Sequence, residues 1–169
     1  MVEGTSPRRT VFVSVAVAVA AGVIFALGVS ALELEDPWAH ALGHLSGAIP
    51  AALLLAAILF TWPPPGTERI SKVARSVLIG GLAVLCVGWV TEALGAFGDR
   101  TSVLATGHDA GVVVGALGLL VTLLGGALSM GAAALNRLGL TDSRWVKVMV
   151  WSGAALVALF LLGGLIFGY

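Results

Sequence analysis

The chain is 169 residues long, 59% hydrophobic and 11% charged, with a mean hydropathy of +1.04. A soluble domain carries about a quarter charged side chains, so an ordinary globular protein is excluded. Nine basic residues cancel nine acidic ones, which leaves no electrostatic footprint for nucleic acid, and the single Cys86 excludes an internal disulfide or a CxxC redox pair.

The apolar residues gather into continuous runs of roughly 20 residues, the length that crosses a hydrocarbon core of about 30 Å. Backbone polar groups in lipid must be satisfied internally, and the runs do not alternate, so the spans are helices rather than barrel strands. The pattern predicts an all-α polytopic membrane helix bundle with five transmembrane helices: Val11–Leu32, Trp38–Thr61, Val73–Leu94, Ser102–Leu128 and Val146–Gly168. The first four make a four-helix core of two hairpins, to which the fifth helix is added. The chain therefore divides into a tail (1–10), a bundle (11–135), and a loop with the fifth helix (136–169). The intervening ELEDP, WPPPGTERISK, GAFGDRT and NRLGLTDSR are short and rich in breakers or charge.

Basic residues in short loops are retained on the cytoplasmic side. Arg8, Arg9, Arg69, Lys72, Arg75, Arg137, Arg144 and Lys147 fall on one side of the predicted spans and Arg100 alone on the other. This predicts a cytoplasmic N-terminus and an extracytoplasmic Tyr169, in a prokaryotic plasma (inner) membrane. The first span has the basic flank of a signal peptide and a small-residue site at Val29-Ser30-Ala31, but its apolar core is longer than such a segment needs, which favours a retained anchor. The five tryptophans read as interface anchors.

All three histidines lie at the same predicted end of the bundle. Asp36 and Pro37 suit the N-cap and first position of the second helix, which puts His44, eight residues on, roughly 12 Å down the axis. Asp99 or Thr101 would cap the fourth helix in the same way and put His108 roughly 10 Å down. His40 lies one turn above His44 on the same face. Gly43-His44-Leu45-Ser46-Gly47 echoes Gly107-His108-Asp109-Ala110-Gly111, each after an outward span and a short loop, as two repeated hairpins would produce. Such halves share one membrane orientation and a pseudo-two-fold axis along the membrane normal.

Ionisable groups within a membrane usually face the bundle interior for a functional reason. Two histidines at equal depth suit a haem b iron with axial ligands His44 and His108. Gly43, Gly47, Gly107 and Gly111 would leave room for the macrocycle, and Arg100 would meet its propionates. Over Val11 to Leu128 the architecture resembles that of membrane-embedded cytochromes b with paired histidines on a four-helix bundle. The resemblance implies an electron-transfer subunit, whose partner would be a quinone, an extracytoplasmic redox protein or other membrane subunits. A b-type haem is expected because no CxxCH is present.

The rival chemistry is a zinc or copper site on His40, His44, His108 and Glu92, with a membrane hydrolase as its enzymatic version and Glu92 as general base. HExxH and Gly-x-Ser-x-Gly are both absent. A proton or ion conduit finds few polar groups in the cytoplasmic half of the spans. Against all of these stands an accessory or scaffold subunit without cofactor, whose GHxxG motifs serve only close helix packing in the lipid bilayer.

Overall fold

A computed structural model describes residues 7–62, 69–98 and 103–140, with isolated positions between 144 and 155. The described residues are helical, without strands, and form α1 (Pro7–Ala31), α2 (Trp38–Phe60), α3 (Arg69–Gly95) and α4 (Val103–Arg137). Among the described residues, four helices are long and apolar enough to cross a membrane, with mean hydropathies of 2.6, 1.9, 2.0 and 2.2 in chain order. The predicted fifth span, Val146–Gly168, falls outside the described residues apart from helical positions at Val148, Trp151–Gly153 and Ala155.

The described helices extend beyond the apolar runs. α1 is already helical at Pro7, four residues before the run, a residue type compatible with the first turn of a helix. α3 is likewise helical from Arg69, and its Arg69, Lys72 and Arg75 are good helix formers. At 35 residues α4 is about 52 Å long, more than a hydrocarbon core of about 30 Å requires. It stops where Gly139 takes φ +65°, with Gly139 N–H donating to the Asn136 carbonyl and Leu140 N–H to that of Leu135. That pair of bonds is the glycine-terminated stop that satisfies the last free carbonyls of a helix.

The chain divides into two compact units, Met1–Pro64 with Leu82–Leu119, and Pro65–Gly81 with Leu120–Tyr169. In the first, the buried core is made largely of Ala18, Ala41, Ala48, Ala51 and Ala93, with Ile58, Leu82 and Leu85 as its larger members. Small residues let backbones approach, which is how helices associate where lipid removes the hydrophobic drive between them. Gly22 on α1 receives the Pro50 ring of α2, a Cβ there standing 3.0 Å from Pro50 Cγ. Pro50 has no N–H for the Ser46 carbonyl one turn earlier, and that carbonyl faces Gly22 too. Gly88 of α3 lies directly against Gly115 of α4, and Gly118 against Leu85. Outside this core, Phe12, Ile24, Leu27 and Phe60 stand exposed, as lipid-facing side chains do. In the second unit, Ala74 and Ala132 are buried, and Gly125 and Gly81 of α4 and α3 meet Leu78 and Thr122 closely.

Candidate metal centre

α2 opens differently from the capped start that the sequence suggests. Pro37 occupies the cap position with φ −88° and ψ −1°, and no side chain caps the helix. The first turn is held instead by backbone bonds, Ala39 N–H to the Glu35 carbonyl and Ala41 N–H to that of Pro37. Trp38 anchors this end by packing edge-on against Phe97, which follows α3, with ring centroids 4.9 Å apart. The proposed caps of α4, Asp99 and Thr101, lie outside the described residues, as does Arg100.

This framework brings all three histidines together. His40 and His44, one turn apart on α2, have ring centroids 4.7 Å apart. His108 on α4 lies 5.2 Å from His40 and 5.4 Å from His44 by the same measure, so it stands between the two rather than level with His44 alone. The Nε2 atoms of His40 and His108 are 3.1 Å apart, and one ring nitrogen from each of the three lies within 4.8 Å of the others. Imidazole nitrogens at about 2.0–2.1 Å from a tetrahedral ion stand about 3.3–3.4 Å from one another. The His40–His108 edge is already near that length, and as no edge exceeds 4.8 Å the others need to close by about 1.5 Å at most.

Glu92 has a different part from a fourth converging donor. Its carboxylate accepts a 2.9 Å hydrogen bond from His44 Nδ1 and is the buried charged side chain among the described residues, 7% exposed. That bond assigns the proton of a neutral His44 to Nδ1 and leaves Nε2 as its lone-pair nitrogen. His108 has a looser counterpart: Asp109 Oδ1 is 3.7 Å from its Nδ1, on a carboxylate that is almost wholly exposed.

Of the four flanking glycines, Gly47 and Gly111 lie against α3. A Cβ at Gly47 would stand 2.8 Å from ring atoms of Trp89, and one at Gly111 would stand 2.6 Å from Glu92 N and 2.8 Å from its Cγ. Gly47 and Gly111 thus admit the two α3 side chains that hold His44, since the Trp89 ring lies 5.9 Å from the His44 ring. Gly43 faces open space and Gly107 only a distant Thr91 methyl. Gly95 does for His108 what sequence reasoning overlooked: a Cβ there would strike the His108 backbone at 2.5 Å, so its absence lets α4 come in at the right place. Trp89 was also missed as part of the centre, though its position three residues before Glu92 puts both on one face of α3.

His40 and His108 border an open cleft of about 890 Å³ whose walls include Asp36, Asp109, Thr106 and Gly95. His44 and Glu92, paired with each other, are not among the residues that line it. The fold and this cluster define the class: among the described residues, an all-helical chain with four helices long and apolar enough to cross a membrane, and a three-histidine cluster on α2 and α4. No family model, no curated protein and no solved structure matches the chain.

Proposed function

We propose that the protein holds one transition-metal ion, Zn2+ or Cu2+, on His40, His44 and His108. The observation that carries the reading is the convergence of three imidazoles from two helices, with a buried carboxylate hydrogen-bonded to Nδ1 of one, His44. Imidazole suits both metals. A carboxylate or carbonyl behind a ligating histidine is the usual means of fixing its tautomer and strengthening its lone pair. Glu92 is the positioning residue rather than a ligand or a general base.

A haem b between His44 and His108 asks for another arrangement. Axial imidazoles approach one iron from opposite faces of a flat macrocycle. Here the His40 ring lies 4.7 Å from His44 and 5.2 Å from His108, themselves 5.4 Å apart, so it stands close to the plane midway between them that a macrocycle would occupy. Gly47 and Gly111 are filled by Trp89 and Glu92. These features favour the ion.

By the distribution of basic residues, the centre belongs to the extracytoplasmic side of a prokaryotic inner membrane, with the N-terminus inside. A fifth helix over Val146–Gly168 completes the bundle in this reading. The ion then serves redox or ligand chemistry at the outer face, with a quinone, an extracytoplasmic redox protein or other membrane subunits as partners. A scaffold role would leave the imidazole cluster without a purpose.

The test is metal content. Protein purified in detergent and equilibrated with Zn2+ or Cu2+ is expected to retain one ion per chain after desalting, measured by elemental mass spectrometry. His40→Ala, His44→Ala and His108→Ala should each lose it. A reduced-minus-oxidised visible spectrum after adding haem, with no retained metal, would replace this reading with the haem one. A colourless, metal-free protein would leave the packing role.

A further inference from the structure

The three-histidine centre is asymmetric, and its asymmetry bears on what else the ion would meet. One flank is closed: Glu92 and Trp89 stand against His44, and both are set into α3 by glycines on the facing helices. The other flank is open, because His40 is exposed and His108, with 27% of its side chain exposed, borders the cleft. No fourth protein donor converges with the three imidazoles among the described residues. Glu92 is occupied on the Nδ1 side of His44, and Asp109 faces the Nδ1 side of His108, whereas the Nε2 atoms of His40 and His108 point at each other. Three protein donors with a solvent-facing fourth position are the arrangement of an ion that exchanges ligands, whereas closed structural sites take four.

The cleft also has a chemical bias. The charged side chains among its described lining residues are Asp36 and Asp109, both exposed carboxylates. Their field opposes a small anion and tolerates a neutral or cationic donor. A volume of about 890 Å³ admits far more than a water molecule.

We infer that the ion bound by His40, His44 and His108 keeps an exchangeable coordination position facing this cleft, and that the position takes a small uncharged nitrogen donor, an imidazole or an amine, in preference to a small anion. The inference rests on the metal reading above. Water holds the position at rest; an incoming donor displaces it through its lone pair, with no change in the metal's oxidation state. Asp36 and Asp109 act on selectivity through charge and take no part in coordination.

The experiment uses the full chain in detergent, loaded with Cu2+ and desalted to one ion per chain. Imidazole and azide are titrated separately while the electron paramagnetic resonance spectrum and the visible d–d band are recorded, and metal content is measured again afterwards. Imidazole is expected to shift both signals at millimolar concentration with the ion retained, and azide to need at least tenfold more. Asp36→Asn, which removes a cleft carboxylate that stands behind none of the three histidines, should narrow that gap without altering copper content. A loaded protein whose spectra stay fixed under imidazole has a closed coordination sphere, which overturns the inference while leaving the metal centre standing. Equal response to azide overturns the selectivity, and loss of the ion to imidazole overturns the stable open position. A chain that never retains copper fails at the earlier step and takes both readings with it.

Discussion

Removing the Glu92 carboxylate tests whether the centre is organised as its geometry implies. The carboxylate lies 2.9 Å from His44 Nδ1 and is 7% exposed, so neither water nor salt screens the bond much. Partners behind a ligating histidine are worth about 10- to 100-fold in metal affinity, which is about 1.4–2.8 kcal/mol at tenfold per 1.4 kcal/mol. Glu92→Gln keeps an oxygen that can accept from Nδ1–H but loses the charge, so its loss should fall near the tenfold end. Glu92→Leu removes the acceptor and should fall near the hundredfold end. Competition against a chromophoric chelator, in detergent at fixed pH, measures both. The reverse change is informative as well: His44→Ala strands a buried carboxylate, which costs about 1–3 kcal/mol or more of stability, so it should lower the unfolding midpoint of the metal-free protein. Affinity unchanged in both Glu92 variants would refute the positioning role. Affinity abolished by Glu92→Gln as fully as by His44→Ala would make Glu92 a ligand in its own right.

Three further outcomes follow from the same structure. Gly47→Ala drives a methyl to 2.8 Å from the Trp89 ring, an overpacking that costs about 1–3 kcal/mol, whereas Gly43→Ala meets no atom within 4 Å and should be neutral or stabilising; thermal unfolding separates the pair, and equal effects would contradict the packing described. Metal affinity should weaken steadily as the buffer is made more acid, because imidazole ligates only in its neutral form and binding releases protons; chelator competition across pH reads this, and a flat profile would argue against histidine ligation. Glu33, after α1, has φ +46°, a conformation costing an L residue roughly 1–2 kcal/mol. Glycine's greater freedom when unfolded offsets about 0.5–1 kcal/mol of that, so Glu33→Gly should raise the unfolding midpoint slightly, and a drop would show that the Glu33 side chain contributes more than its backbone costs.

Four of the helices were legible from the chain alone, because a hydrocarbon solvent imposes one rule on every residue in a span: be apolar for roughly 20 positions and satisfy the backbone locally. That rule is local and needs no knowledge of neighbours. It is silent on helical residues outside the apolar run, such as those of α1 from Pro7 and of α3 from Arg69, whereas the length of α4 was already written in a run that stays apolar to Leu135. The meeting of His44 with His108 was also legible, since each sits a similar distance into its helix from the same end of the bundle. What only tertiary structure decided was the company they keep. Rotation of each helix about its axis depends on which small residues face which neighbours, and that is a property of pairs of helices. Gly47 accepting Trp89, Gly111 accepting Glu92 and Gly95 admitting the His108 backbone turn the three helices so that His40 joins the pair and Glu92 stands behind His44. Spacing along one chain sets the depth of a side chain, and only packing sets the direction in which it points.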